Sequence, residues 1–108
     1  MSIVMNLYYK GKNGSARAFA EEMVKSGIRN QIRKEEGNEK YDYFISTDDP
    51  ETVLLIDVWR DQEALDKHHA SPMMKKISEL REKYDLHMKA ERYLSDTANN
   101  TDAAFLRK

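Results

Sequence analysis

The residues best suited to acid–base chemistry lie in one short stretch of the chain, residues 57–68. His68 belongs to the residue type whose ordinary pKa, near 6.5, allows it to accept a proton at neutral pH. Asp57 and Trp59 stand two positions apart in an apolar run, so that a carboxylate and a large aromatic surface share one face of a predicted strand. The pair is equally typical of a dimer interface, and His68 of a capping or surface position.

Three further residues are candidates for binding a small molecule. Asn6 interrupts an apolar strand, and a buried amide needs a partner in a neighbouring backbone or in something bound. Tyr43 and His87 complete a predicted substrate-binding set with Asp57. Tyr43 also fits a packing role, and His87 also fits a solvated row on the last strand.

The common catalytic and metal-binding motifs are absent from the sequence. It contains no HExxH, Walker A, GxGxxG or GxSxG pattern, and residues 10–15 are interpreted as a turn. His68 and His69 are adjacent, so that on a helix they point about 100° apart and do not chelate one ion together. The chain has no cysteine, which excludes disulfides, thiolate metal sites and a cysteine nucleophile. No metal site is expected.

Length and charge exclude several classes of protein. A chain of 108 residues is long enough for one domain, and 18 basic against 19 acidic residues leave no basic surplus for nucleic acid. The N-terminus reads as neither a signal peptide nor a membrane span, so that a cytoplasmic protein without membrane contact is expected.

The pattern of apolar residues predicts four strands and three helices. Strands are predicted over 3–9, 41–46, 52–59 and 86–93, with one long helix from Ser15 towards Gly37 and, after the second hairpin strand, a short helix capped by Asp61 followed by one opened by Ser71-Pro72. The order β-α-β-β-α-β is that of an α+β ferredoxin-like plait. We expect this domain over residues 1–95 and a C-terminal tail over 96–108.

The third predicted strand poses a question about the sheet's second face. Leu54, Ile56 and Val58 form an aliphatic row suited to the helices, which predicts that Asp57 and Trp59 lie on the uncovered face. An exposed apolar face of this kind usually marks an interface or a ligand site. A second copy or a pocket is therefore expected there.

Residues 57–72 read DVWRDQEALDKHHASP. A strand ending in Trp, followed by an acidic residue, Glu-Ala-Leu, a His and Ser-Pro, resembles the hallmark of the antibiotic biosynthesis monooxygenase family. The passage 34–43 and the turn 49–51 resemble the same family, so that the similarity spans residues 3–94. The C-terminal residues 105–108 resemble tails of a quinol-monooxygenase-like branch.

This resemblance implies a protomer that forms a homodimer through its sheets, a dimeric α/β barrel, with a small-molecule cavity between sheet and helices. It also implies oxidation of a small phenolic or quinol-type substrate by O₂ without metal, flavin or haem. The family positions give His68 as the base, assisted by Asp57. They place Asn6 at the oxyanion or O₂ and make Trp59 a wall of the cavity.

Other branches of the family keep two alternatives open. A haem-degrading branch takes its iron ligand from a His in the helix after Ser-Pro, but here residues 73–83 contain no His and Ser78 stands near the expected place. Another relative isomerises a small carbonyl compound, which His68 would serve equally well. The alternatives to an oxidoreductase are therefore an isomerase and a non-catalytic dimeric small-molecule-binding module.

Overall fold

The computed structural model describes residues 1–97 and 100–107. Its elements, in chain order, are β1 (Ile3–Lys10), α1 (Ser15–Lys25), α2 (Ile28–Arg33), β2 (Asn38–Ile45), β3 (Thr52–Trp59), α3 (Gln62–His69), α4 (Met73–Lys83), β4 (His87–Leu94) and α5 (Asn100–Ala103). All four predicted strands are present, within a few residues of their expected bounds.

The four strands form one antiparallel sheet in the order β2-β3-β1-β4. β2 and β3 are the predicted hairpin, while β1 lies between β3 and β4. With α1 and α2 on one connection and α3 and α4 on the other, this is the α+β ferredoxin-like plait, which confirms the predicted fold class.

The helices cover the face of the sheet opposite to the one predicted. Val53, Leu55, Asp57 and Trp59 on β3 are all buried, whereas the alternating row with Ile56 is only half-buried. The prediction that Asp57 and Trp59 lie on the uncovered face is therefore wrong. The physical reason is that both rows are apolar, so that the two-residue period separates them without telling which one the helices cover.

The predicted long helix is broken into α1 and α2 at Gly27. This glycine has a φ of 85°, in the left-handed region, and its N–H donates to the carbonyl of Val24 at 3.2 Å. A helix ends readily at such a residue because glycine has no Cβ to clash with the backbone. The break turns α2 so that its buried Ile28 and Ile32 also face the core.

The beginnings of α3 and α4 differ in how they are capped. The carboxylate of Asp61 accepts from the N–H of Ala64 at 2.9 Å, as predicted. Ser71 makes no such bond at the start of α4, where Pro72 holds the cap position and no side chain caps the helix. The prediction of a Ser71 cap is wrong, and its Oγ is buried without a hydrogen-bond partner.

The two large apolar side chains described after β4 contribute little to the core. Phe105 is 85% exposed and Leu106 is 64% exposed. The boundary between a domain over 1–95 and a tail over 96–108 stays a prediction. In the part of the chain that the structure describes, no helix is long and apolar enough to cross a bilayer.

Candidate functional site

His68 is the centre of a buried polar cluster between the sheet and the helices. It lies in the last turn of α3 and only 4% of it is exposed. Its Nδ1 is 2.7 Å from a carboxylate oxygen of Glu35, which directly follows α2. Its ring stacks on the indole of Trp59 with the centroids 4.7 Å apart. The imidazole is therefore fixed by one hydrogen bond and one aromatic contact.

The Glu35 carboxylate decides which nitrogen of His68 can take up a proton. A carboxylate accepts a hydrogen bond, so that Nδ1 carries the hydrogen and Nε2 is left as the acceptor in the neutral ring. Burial lowers the pKa of His68, and the negative charge of Glu35 opposes this effect. The neutral imidazole is thus the stable form at neutral pH, as a general base requires.

Asp57 lies beside this pair on β3, on the same face as Trp59. Burial raises the pKa of Asp57 to about 7, against the opposing effect of the nearby Trp59 indole. Asp57 Oδ1 and Trp59 Nε1 are both buried, and no group of the described residues makes a hydrogen bond of normal geometry with either atom. Unpaired buried polar atoms are uncommon in proteins and need an explanation in each case.

Three tyrosines lie near Asp57, on the strands at either side of β3. Tyr41 lies directly opposite Asp57, and its ring contacts that of Tyr43 edge-on with centroids 5.9 Å apart. Tyr9 on β1 accepts a hydrogen bond from Arg81 of α4 at 2.9 Å. Burial raises the pKa of all three tyrosines, so that each is neutral at physiological pH.

Two adjoining clefts open beside His68 at the surface. One has a volume of about 200 Å³ and the other about 380 Å³, and both are lined by Glu35 and Ser71. His68 and Lys67 line the smaller cleft, while Lys76 lines the larger one. The clefts therefore combine the imidazole with acidic and basic side chains, and Lys67 is itself paired with Glu63 at 3.5 Å.

The structure separates Asn6 and His87 from this cluster. Ile3, not Asn6, pairs with Trp59, and Asn6 lies three residues further along β1, which puts its side chain on the uncovered face. His87 pairs with Lys10 at the opposite end of the sheet, on that same uncovered face. Its side chain is 79% exposed.

Tyr43 lies on the helix side but lines a different cleft. That cleft, with a volume of about 270 Å³, runs between α1 and β2 and is walled mainly by apolar groups such as Val24 and Ile45. Of the six predicted site residues, His68, Trp59 and Asp57 are brought together. Tyr43 joins their cluster through Tyr41.

Most of the chain matches the model of one protein family. The model of the antibiotic biosynthesis monooxygenase family matches residues 1–80, which include β1, the whole hairpin, α3 and most of α4. The chain belongs to the antibiotic biosynthesis monooxygenase family. Compared with curated protein sequences, the chain shows no match.

Solved structures of similar fold include members of this family. A conserved protein from Methanosarcina mazei is 25% identical, with a TM-score of 0.73 over 89% of this chain and 94% of the other. A candidate antibiotic biosynthesis monooxygenase from Deinococcus radiodurans is 20% identical, with a TM-score of 0.74 over 93% and 97%. SnoaB, a cofactor-independent oxygenase from Streptomyces nogalater, is 11% identical, with a TM-score of 0.73 over 90% and 95%.

Two residues of this family member's site were missed by reasoning from the sequence. Glu35 is 33 positions from His68, and no local pattern links the end of α2 to the end of α3. Ser71 was assigned to helix capping because Ser before Pro is a common helix start. For Glu35 the only indication was its place before the Gly37 turn, which brings the chain back to the sheet beside Trp59.

Proposed function

We propose that this protein is a cofactor-independent monooxygenase that oxidises a small phenolic or quinol-type substrate with O₂. The observation that carries the proposal is the buried His68, which is held by Glu35, stacked on Trp59 and open to a cleft. Membership of the antibiotic biosynthesis monooxygenase family supports an oxidoreductase. The likeness of the fold to that of SnoaB is compatible with chemistry that needs no cofactor.

In this mechanism the protein's part is proton transfer and orientation. Nε2 of His68 takes the hydroxyl proton of the substrate, and the imidazolium that forms is stabilised by the Glu35 carboxylate. The resulting electron-rich anion gives an electron to O₂ and then combines with it. Trp59 keeps the imidazole in place from below, and Asp57 adds a second group that can gain or lose a proton near neutral pH.

Oxygen uptake with a panel of hydroquinones and polycyclic phenols, in buffer with a metal chelator, tests this function. We expect uptake by the wild type and a loss of about 10²–10⁴-fold in His68→Gln, which is typical for removal of a positioned base. His87→Gln is the matched control because that histidine lies at the other end of the sheet. No uptake with any phenol, or equal rates in both variants, would contradict the proposal.

An isomerase of a small carbonyl compound is the second candidate. The observation in its favour is that two proton-transfer groups stand beside Trp59: the neutral imidazole of His68 stacks on the indole, and burial raises the pKa of Asp57 on the same strand face to about 7. This function predicts turnover that continues without O₂. A binding module without catalysis predicts that ligands bind while His68→Gln changes no rate.

We further propose that two copies pair through the uncovered face of the sheet. That face carries Val4, Ile56 and Val58, and Phe44 and Tyr93 at its sides are 43% and 51% exposed. The chain exposes 7322 Å², against about 6,200 Å² expected for a compact monomer of its mass. The uncovered sheet face contributes to this surplus together with exposed C-terminal residues such as Phe105. The cytoplasmic location stays a prediction.

A further inference from the structure

The carboxylate of Glu35 connects the buried imidazole of His68 with the solvent. Its Oε2 lies 2.7 Å from Nδ1 of His68. The side chain of Glu35 is 23% exposed, whereas that of His68 is only 4% exposed. Glu35 also lines both clefts beside the imidazole. A hydrogen on Nδ1 is therefore one hydrogen bond away from a group that water can reach.

The main chain holds Glu35 in this position. Its N–H donates to the carbonyl of Ile32 at 2.9 Å, and its carbonyl accepts from the N–H of Asn38 at 3.1 Å. Ile32 is fully buried in the core, so that Glu35 is anchored directly after the end of α2. Both bonds are made by the main chain and would remain if the side chain were changed.

The surroundings of His68 do not favour a lasting positive charge on its ring. Burial lowers the pKa of His68, and the charges of the nearby His69 and Arg81 lower it further, while the Glu35 carboxylate opposes them. A proton that His68 takes from a substrate therefore needs a way out. In the proposed reaction Nε2 faces the substrate, so that Nδ1 is the atom from which a proton can leave.

Partial exposure distinguishes Glu35 from a carboxylate that only orients a histidine. The buried aspartate of a serine-protease triad stabilises the imidazolium and does not itself take the proton. A proton received by Glu35 can instead pass on to water, because its side chain reaches the clefts. Glu36 lines the smaller cleft too, but its carboxylate faces Arg60 at 3.4 Å.

We propose that Glu35 is a proton relay between His68 and the water in the clefts. This inference rests on the proposed function, in which His68 takes the hydroxyl proton of the substrate. An N–H bond forms at Nε2, the N–H bond at Nδ1 breaks, and the Nδ1 proton moves through the carboxylate of Glu35 to water. The neutral ring then carries its hydrogen on Nε2 and donates it to the oxygen that is reduced in the reaction. Glu35 returns a proton from water to Nδ1, which restores the starting tautomer.

Exchange of the Nδ1 hydrogen of His68 with water, followed by NMR with isotope-labelled histidine, tests the relay without any turnover. Each protein is measured at the pH at which its own His68 is half protonated, so that differences in pKa do not enter. Glu35→Gln keeps the size of the side chain but accepts no proton. Its exchange should be slower by about 10²-fold, the lower end of what a positioned proton-transfer group contributes. A merely structural role predicts the opposite, since a loosened site exchanges faster.

Acetate provides a rescue that depends on the relay. Glu35→Ala leaves a space that adjoins the cleft of about 200 Å³, and added acetate should restore fast exchange in this variant. Acetate should not restore Glu35→Gln, because the amide fills that space. Glu36→Ala is the matched control, since Glu36 lines the same cleft but faces Arg60, and it should exchange like the wild type with or without acetate.

The outcomes for the relay and for the proposed function are separate. Exchange in Glu35→Gln that is as fast as in the wild type, or Glu35→Ala that acetate does not restore, overturns the relay. Oxygen uptake with phenols then still decides the oxygenase function by itself. If exchange depends on Glu35 while no phenol consumes O₂, the oxygenase function fails and the relay stands.

Discussion

At the scale of the residue, the site contains two carboxyl groups that differ in burial and in hydrogen bonding. Glu35 has a partner, the Nδ1 of His68, and is only partly buried. Asp57 is almost fully buried, and its Oδ1 has no partner. The two groups also interact, because burial raises the pKa of Asp57 and the negative charge of Glu35 raises it further.

Replacement of Asp57 by Asn should change how stability depends on pH. The pKa of Asp57 is raised to about 7 in the folded protein and is about 3.9 in an unfolded chain. The raised value favours the folded state fully below about pH 4, and this contribution is lost as the pH rises to 7. The free energy of unfolding of Asp57→Asn should therefore rise relative to that of the wild type as the pH increases from 4 to 7, by up to about 4 kcal/mol.

Urea unfolding of the wild type and Asp57→Asn from pH 4 to pH 8 measures this gain. Asp96→Asn, at an exposed carboxylate beyond β4, is the control and should show no comparable trend. A difference between wild type and Asp57→Asn that stays constant over the pH range would show that Asp57 titrates normally in the folded protein.

Replacement of Glu35 by Gln should lower the pKa of His68. Burial already lowers this pKa, and the charge of Glu35 works against burial. Without that charge the imidazolium loses its only carboxylate partner among the described residues. Titration of the histidine ring protons by NMR measures the shift, with His87 as an internal reference. Glu35→Asp should move the pKa of His68 less, and an unchanged value in Glu35→Gln would contradict the ion pair.

At the scale of the element, two glycines decide how the helices reach the site. Gly27 ends α1, and Gly37 turns the chain from α2 into β2 with a φ of 86°. A Cβ at Gly37 would come within 2.4 Å of the Cβ of Ala64, whereas a Cβ at Gly27 meets nothing within 4 Å. Gly37 therefore permits the close contact with α3, the helix that carries His68.

Alanine at Gly37 should lower the free energy of unfolding more than alanine at Gly27. Gly27→Ala should destabilise the protein by about 1–2 kcal/mol through the left-handed backbone alone. Gly37→Ala adds the clash with Ala64 and should cost at least about 1 kcal/mol more. Urea unfolding at one pH compares them directly. Equal losses would mean that α3 moves away from Gly37 without penalty.

At the scale of the whole molecule, one face of the sheet is covered by helices and the other is not. The helix side buries the aromatic residues and the candidate site, while the other side presents Val4, Ile56 and Val58 around the amide of Asn6. Asn6 Oδ1 is buried even on that open face, and it has no hydrogen-bond partner in the part of the chain that the structure describes. This placement makes Asn6 a candidate for a contact with a second copy.

Ile56→Arg should convert the proposed dimer into a monomer. Ile56 pairs with Asn6 and Asp42 near the middle of the uncovered face, so that dimerisation would remove the guanidinium from water, and pairing with Asp42 does not offset this loss of hydration. Light scattering after size exclusion, at micromolar concentration, gives the mass. Val24→Arg on the helix side is the control and should remain dimeric. A monomeric wild type would remove the basis for the barrel.

The sequence by itself determined the order of elements and the fold class. Alternating apolar residues mark the strands, Asp61 marks the start of α3, and the stretch 57–72 indicates the family. These features are local because each depends on residues within one element or one turn. The singling out of His68, Trp59 and Asp57 also came from such a stretch, and the structure holds the three together.

Only the tertiary structure decided which face of the sheet the helices cover and what stands opposite His68. Both rows of β3 are apolar, so that a pattern of period two does not tell which one the helices cover. The row that contains Trp59 is covered because its large side chains pack into the core together with Tyr41. Asn6 lies an odd number of residues from Ile3, the partner of Trp59, so that its side chain is on the uncovered face of the sheet. Glu35 reaches His68 because the end of α2 and the end of α3 pack together on one sheet, and no spacing along the chain encodes that approach over 33 positions.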